Sequence, residues 1–241
     1  MSADRRLTAD DRRLTLLLYY ITDRSQFAGD EAARRSRLLT TVAQAARCGV
    51  DYIQLREKDL STRELETLVH ALVHRLRTES QKLKTALLIN SRTDIAVVCG
   101  AQGVHLPSND ILPSEVRSIW TRCGGTPAHV TVGTSCHTRI EVARAVQEGA
   151  DFAVFGPIFE KARARPTGLD ALREACQEKI PVLALGGITM ENTEVCIRAG
   201  AAGIAAIRLF QENEMDGVVA ALRRLKTDIG AQASANPKAD D

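Results

Sequence analysis

The chain is poor in aromatic side chains, in net charge and in long apolar stretches. Aromatic residues make up 4% of its 241 residues, whereas 44% of the residues are hydrophobic. We therefore expect an aliphatic core, as buried parallel strands prefer. The formal net charge is +2, which gives no global attraction to nucleic acid or to a membrane surface. No apolar stretch approaches the roughly 20 residues of a membrane-spanning helix. We expect neither nucleic acid nor membrane as a partner.

Cysteine pairs of the metal-binding or redox type are also missing. Six cysteines are scattered along the chain without a Cys-x-x-Cys pair, which argues against a zinc ribbon or a thioredoxin-like motif. Scattered cysteines in apolar runs are typical of reduced thiols in a cytosolic protein. Residues 1–6 are polar, with no apolar core of a secretory signal behind them. These features predict a cytoplasmic protein.

The chain does contain a glycine about every fifty residues. Gly49, Gly100, Gly149 and Gly200 each precede a short apolar run. A glycine after a helix supplies a left-handed C-cap, and the chain then enters a buried strand. Fifty residues accommodate two strand–helix units, so four such quarters give eight strands and eight helices. This predicts a (β/α)8 TIM barrel in a single domain, a fold that typically needs about 250 residues.

The predicted barrel spans residues 14–229, between a flexible arm at 1–13 and a disordered tail at 230–241. Its strands are predicted at residues 14–21, 52–55, 86–89, 104–106, 130–133, 153–155, 182–185 and 203–207. The last helix is predicted from about Asp216 to Thr227. Active sites of this fold lie at the C-terminal ends of the strands, so the residues that follow each strand are the candidates for function.

Cations and an amide follow the second and third strands. Gln54, Arg56 and Lys58 alternate after strand two, and Asn90 follows strand three. An arginine fork and a lysine charge suit an anionic substrate, although two solvated surface charges would give the same pattern. Asn90 and Asp110, which follows strand four, could hold a partly hydrated Mg²⁺ beside phosphate oxygens. The alternative is that Asp110 or its neighbour Asn109 starts the next helix as an N-cap.

Glycines, a serine and a histidine follow the later strands. The Gly186-Gly187 turn after strand seven lies where these barrels commonly bind phosphate, because glycine lets backbone amides approach an anion closely. A tight turn without a ligand is the alternative. Ser135 and His137 follow strand five. Because histidine titrates near neutrality, His137 could act as a general acid or base, and a purely structural histidine is the other interpretation.

The strand ends carry seven motifs in a fixed order, which are Tyr20-Ile21-Thr22-Asp23, Gln54-Leu55-Arg56-Glu57-Lys58, Asn90-Ser91-Arg92-Thr93-Asp94-Ile95-Ala96, Gly103-Val104-His105-Leu106, Gly133-Thr134-Ser135-Cys136-His137, Phe155-Gly156-Pro157-Ile158-Phe159 and Ala184-Leu185-Gly186-Gly187-Ile188. Together they resemble the thiamine phosphate synthase / TenI superfamily over roughly residues 15–210. No single motif is decisive, but the ordered series is specific.

This resemblance implies an enzyme of thiamine biosynthesis, a transferase that joins hydroxymethylpyrimidine diphosphate to thiazole phosphate and releases diphosphate. It implies Mg²⁺ as the cofactor, at Asp110, and phosphorylated small molecules as the ligands. The implied catalytic residues are Lys58, Ser135 and His137. The implied substrate-binding residues are Gln54, Arg56, Lys58, Asn90, Gly156, Gly186, Gly187 and Arg208. Self-association into a homo-oligomer is left open.

The chain departs from the synthase pattern at four places. Ser91 stands where synthases carry a Mg²⁺-binding aspartate, and Arg208 stands where they carry a small serine. Residues 106–110 read Leu-Pro-Ser-Asn-Asp instead of Leu-Gly-Gln-x-Asp, and the Pro-Ser pair resembles TenI-like members. Residues 160–167 replace the usual Pro-Thr-x-Thr-Lys loop with Glu-Lys-Ala-Arg-Ala-Arg-Pro-Thr.

These departures keep two other functions open. A TenI-like thiazole tautomerase, an isomerase, would use His137 to move a proton and would need no diphosphate site. A phosphate-binding barrel that has lost catalysis is the third reading, and Ser91 gives it weight. Arg56, Lys58 and Asp110 favour the transferase, because a tautomerase has no use for them.

Overall fold

Eight short parallel strands close into a barrel with helices between them, which confirms the (β/α)8 prediction. The computed structural model describes residues 15–79, 84–126, 130–159 and 165–235. The strands are β1 (Leu17–Ile21), β2 (Tyr52–Leu55), β3 (Ala86–Asn90), β4 (Gly103–Leu106), β5 (Thr131–Cys136), β6 (Phe152–Phe155), β7 (Val182–Leu185) and β8 (Gly203–Ala206). They follow one another around the barrel in chain order, and β8 pairs with β1.

Helices pack around this barrel on its outer face. Those in the described ranges are α1 (Glu31–Arg47), α2 (Thr62–Glu79), α3 (Thr93–Cys99), α4 (Pro113–Arg122), α5 (Arg139–Gln147), α6 (Gly168–Ala175), α7 (Thr193–Arg198), α8 (Arg208–Gln211) and α9 (Met215–Ala235). The short α8 lies directly after β8, and a 3₁₀ turn, Arg24–Gln26, follows β1. The main hydrophobic core lies between strands and helices, and a second, smaller cluster fills the barrel interior.

The first and fifth strands differ most from their predicted bounds. β1 begins at Leu17 rather than at residue 14. β5 continues to Cys136 instead of ending at Gly133, because its backbone stays in register with β6 as far as Phe155. Ser135 is therefore held on a strand rather than in a loop.

The four periodic glycines have the predicted left-handed conformation. The φ angles of Gly49, Gly100, Gly149 and Gly200 are +87°, +69°, +77° and +103°. A side chain with a Cβ atom is strained in this region. The fifty-residue glycine period therefore reflects a conformational requirement at the point where a helix ends and the chain turns into the next strand.

Three aromatic rings pack together in the barrel interior near the N-terminal ends of the strands. Tyr52 and Phe152 stack with ring centroids 4.7 Å apart, and Tyr19 meets them edge-on at 6.0 and 5.3 Å. The prediction of an aliphatic core was therefore incomplete. The rings pack among aliphatic side chains of the same interior cluster, such as Leu17, Leu88 and Leu183.

Two equivalent sets of arginine contacts, here called clamps, stabilise the N-terminal end of the barrel. In each, an arginine on a helix donates to a backbone carbonyl oxygen and to an aspartate two residues further on, at 2.7–2.9 Å. Each aspartate also accepts a backbone N–H from the preceding strand, at 2.7 and 2.8 Å. The clamps are Arg223 of α9 with Gly49 and Asp51, and Arg117 of α4 with Gly149 and Asp151.

The last helix runs through Ala235, so the predicted tail at 230–241 begins too early. Gly230 does not end the helix. Ile229 packs against the hydrophobic core, and the alanines that follow favour helix. The predicted arm, residues 1–13, and residues 236–241 lie outside the described residues.

Within the described ranges, the helices are too short or too polar to cross a membrane. All six cysteines are free thiols, as the sequence predicted.

Candidate active site

A belt of hydrogen-bonded polar side chains crosses the barrel interior near the C-terminal ends of the strands. Gln54 of β2 donates from Nε2 to Oδ1 of Asn90 on β3 at 2.9 Å. His105 of β4 and Ser135 of β5 form a second pair, with 2.9 Å between Nε2 and Oγ. Asn90 lies beside His105 in the strand register, so the belt spans four strands. It unites three predicted site residues with His105, which was not predicted as one.

The His105 imidazole is neutral. Burial, with a smaller contribution from the charge of Arg56, lowers its pKa to about 3. Its Nδ1 is buried without a hydrogen-bond partner among the described residues. An N–H left unpaired in a protein interior is rarer than an unpaired acceptor, so we expect the proton on Nε2, which donates to Ser135. The Ser135 hydroxyl hydrogen is then free to be donated to a substrate oxygen.

Arg56 and Lys58 follow β2 with unneutralised charges. Neither side chain has a hydrogen bond or ion pair with another residue of the described ranges. Arg56 is half-buried and Lys58 is exposed. Arg56 lies near enough to the barrel interior for its charge to affect the pKa of His105. Both cations are therefore available to an anion that enters the barrel mouth.

A buried polar network lies directly behind these two cations. Glu57 is 6% exposed and accepts from the Thr22 hydroxyl at 2.6 Å and from the Arg24 guanidinium at 3.0 Å. The Thr22 oxygen also accepts the backbone N–H of Arg56 at 3.0 Å. The end of β1 therefore fixes the backbone that carries the cations. These contacts join residues more than thirty positions apart, and no pattern in the sequence indicates them.

His137 lies just before α5, with its ring bonded to the end of β6. Its Nδ1 is 2.5 Å from the carbonyl oxygen of Gly156. Because a carbonyl oxygen only accepts, Nδ1 carries the proton. No partner of Nε2 is found in the described part of the chain, so Nε2 can exchange a proton with a ligand. Gly156 itself has no room for a side chain, since a Cβ atom would lie 2.0 Å from the carbonyl oxygen of Leu185.

Gly186 and Gly187 form one wall of a cavity of about 300 Å³ between the ends of β7 and β8. Their φ angles are +99° and +66°. Arg208 lines the same cavity and is exposed, and its guanidinium has no partner among the residues described. Backbone amides at a glycine turn beside a cation are suited to a phosphate group. A turn without a ligand would explain the glycines but not the cavity.

Gln211 fixes the short helix that carries Arg208. Its Oε1 accepts from the Tyr20 hydroxyl at 3.1 Å and from the Asp23 backbone N–H at 2.9 Å. Its Nε2 donates to the Asp23 carbonyl oxygen at 3.0 Å. The start of α8 is thereby held against the end of β1. No sequence motif predicted this contact.

Asp110 and Ser135 line a second cavity, of about 340 Å³. Asp110 does not cap α4, because the N-cap residue of that helix is Leu112. One Asp110 oxygen accepts the backbone N–H of Ile111 at 2.8 Å. The predicted metal ligand is thus placed near the polar belt.

The residues near Asp110 fit Mg²⁺ only together with substrate oxygens. The described residues contain no group of three His, Cys, Asp or Glu side chains that could hold a metal. Ser91, at the position of the usual second carboxylate, has a φ of +61° and accepts from Nδ2 of Asn90 at 3.2 Å. Mg²⁺ is commonly bound by one or two carboxylates plus substrate phosphates. The donor set therefore matches a substrate-assisted site. The altered loop at residues 160–164 lies outside the described residues.

The chain is similar in sequence and structure to known synthases. A family model described as thiamine monophosphate synthase matches residues 18–210. The putative thiamine-phosphate synthase 2 of Aquifex aeolicus is 41% identical over 199 residues, which cover 81% of this chain and 97% of that protein. The thiamine-phosphate synthase of Syntrophomonas wolfei is 37% identical over 214 residues, covering 86% and 95%. The solved thiamine phosphate pyrophosphorylase of Pyrococcus furiosus superposes with a TM-score of 0.72 and 27% identity, covering 90% and 98%.

Proposed function

We propose that this chain, which belongs to the thiamine monophosphate synthase family, joins a pyrimidine methyl diphosphate to thiazole phosphate and releases diphosphate. The observation that carries the proposal is that two separate groups of residues suited to anions lie at the mouth. Arg56 and Lys58 follow β2, while Gly187 and Arg208 line the cavity between β7 and β8. A coupling reaction between a diphosphate and a phosphate needs both regions, whereas an isomerase acting on one phosphate needs only the second.

In the proposed reaction the bond between the pyrimidine methylene and a diphosphate oxygen breaks, and its electron pair leaves with the diphosphate. The lone pair of the thiazole nitrogen then forms the new C–N bond. Arg56 and Lys58 stabilise the negative charge that develops on the leaving group, and Ser135 donates a hydrogen bond to it. One such preorganised group typically contributes about 2.7–4 kcal/mol to catalysis. Mg²⁺ bound at Asp110 with the substrate would neutralise further diphosphate charge.

A second candidate function, thiazole tautomerisation, is favoured by one observation. The Gly156 carbonyl holds the His137 ring so that Nε2 is free to transfer a proton. A tautomerase would depend on this nitrogen and not on the cations after β2.

Two variants distinguish the reactions. Lys58→Ala and His137→Asn are assayed for diphosphate release with both substrates and Mg²⁺, and for double-bond migration with the thiazole alone. In a transferase, Lys58→Ala lowers the coupling rate about a hundredfold or more and His137→Asn does less damage. The opposite order, with His137→Asn costing about 10²–10⁴-fold in migration, would identify a tautomerase. A parent protein inactive in both assays would point to a binding barrel.

We further propose that the enzyme works in the cytoplasm, which its six free thiols support. Its ligands are the phosphorylated small molecules of this reaction. Homo-oligomerisation remains a prediction from the sequence.

A further inference from the structure

We propose that Arg24 is a positioning residue that keeps Arg56 and Lys58 available to diphosphate, because it holds the neighbouring carboxylates of Glu57 and Asp59 away from them. This inference rests on the proposed function of the two cations. It assigns a role to a buried arginine that lies outside the ring of predicted site residues.

The segment after β2 is able to neutralise itself. Residues 56–59 read Arg-Glu-Lys-Asp, so each cation is followed directly by a carboxylate. In an exposed loop, such neighbours attract one another and reduce the charge offered to a ligand. Yet neither cation forms an ion pair with another described residue, so something must hold the carboxylates elsewhere.

Arg24 holds both of them. Its Nη1 donates to Glu57 at 3.0 Å and to Asp59 at 2.8 Å, and its Nη2 donates to the other Asp59 oxygen at 2.7 Å. Its Nε donates to Glu31 of α1 at 2.9 Å. Arg24 is 5% exposed. Hydrogen bonds with Asp59 and the other carboxylates raise its pKa further above the ordinary arginine value.

This task requires a guanidinium. A planar fork with five donors can bridge several carboxylates at once, whereas a lysine ammonium acts as a single point charge. The backbone N–H of Arg24 also donates to Glu57 at 3.1 Å. The carboxylate of Glu57 is therefore fixed from two directions and stays behind the loop.

Without Arg24, the nearest cations along the chain for Glu57 and Asp59 are Arg56 and Lys58. The cations and carboxylates of the loop would then pair with one another, and less positive charge would remain for diphosphate. This effect differs from general destabilisation, because removal of the two carboxylates should reverse it.

The test measures inorganic diphosphate binding to the full chain by titration calorimetry in the presence of Mg²⁺. We expect Arg24→Met to bind diphosphate at least tenfold more weakly than the parent. The triple variant Arg24→Met/Glu57→Gln/Asp59→Asn should regain affinity to within about threefold of the parent. Asp59→Asn alone should bind at least as tightly as the parent. Arg117→Met, which removes an aspartate-bound arginine at the opposite end of the barrel, is the matched control and should leave diphosphate affinity unchanged.

If the triple variant binds as weakly as Arg24→Met, Arg24 merely supports the fold and the inference is wrong. Parent-like affinity in Arg24→Met would also overturn it while leaving the proposed function intact. A parent that does not bind diphosphate would overturn both. Should Arg24→Met fail to fold, Arg24→Lys replaces it, since it retains a charge but cannot bridge both carboxylates. We then expect Arg24→Lys to bind diphosphate more weakly than the parent, and the addition of Glu57→Gln and Asp59→Asn to restore the affinity. Absence of that restoration refutes the inference.

Discussion

The buried imidazole of His105 should make the protein sensitive to acid. Its pKa in the folded state is about 3, whereas a histidine in an unfolded chain titrates near 6.5. Between these values the unfolded state binds more protons, so stability rises with pH and falls on acidification. In the steep part of that range, this single group should lower the free energy of unfolding by about 1.4 kcal/mol for each pH unit of acidification. Between pH 8 and pH 5 the loss is about 2 kcal/mol.

The perturbation is His105→Gln, which removes the titrating group but keeps a side chain that can donate to Ser135. Free energies of unfolding are measured in urea from pH 8 to pH 5. Whatever the cost of the substitution at pH 8, the variant should gain about 2 kcal/mol relative to the parent at pH 5. His70→Gln, on the exposed face of α2, is the matched control for the loss of an imidazole. Identical pH dependence in parent and His105→Gln would show that His105 is not held neutral in the barrel.

Three further predictions concern the ligands. Gly187→Val should weaken thiazole phosphate binding at least tenfold, about 1.4 kcal/mol, because a β-branched residue is strained at a φ of +66°; unchanged affinity in a variant with parent-like circular dichroism would place the phosphate elsewhere. Ser91→Asp should lower the Mg²⁺ concentration for half-maximal coupling, since it adds a carboxylate at a left-handed position that aspartate tolerates; abolished activity would refute this. Ser135→Ala should lower kcat about a hundredfold, and an undiminished kcat would show that its hydroxyl does not face the leaving group.

Much of the fold could be predicted because its signals are local. At four of the junctions between a helix and the next strand a glycine adopts the left-handed conformation, a requirement set by the local backbone. Ser61 and Glu64, three residues apart at the start of α2, are a local signal of this kind and form a capping box with reciprocal bonds at 3.0 and 3.4 Å. The prediction of a disordered tail was wrong for residues 230–235, which are helical. Packing of Ile229 against the core is a tertiary effect that overrides the low helix propensity of Gly230.

The site was predictable only in part, because several of its contacts are tertiary and leave no local signal in the sequence. The side chains that follow the strands could be found from the strand pattern, because a closed barrel brings all C-terminal strand ends to one mouth. Arg24 and Gln211 could not, because Glu57 and Asp59 lie 33 or more positions from Arg24, and the partners of Gln211 lie 188 or more positions from it. His105 stood in a recognised motif but looked like an ordinary strand residue. Its burial and its pairing with Ser135 show that it faces inward.

The two arginine clamps also give the closed ring an approximate twofold repeat, because they lie four strands apart among eight. Their glycines and aspartates are one hundred residues apart, but Arg117 precedes its two partners along the chain whereas Arg223 follows its own. In the closed ring, Arg223 of the final helix binds the connection that enters β2, as Arg117 of α4 binds the connection that enters β6. The junction where β8 meets β1 is therefore tied by the same kind of contact as the junction where β4 meets β5.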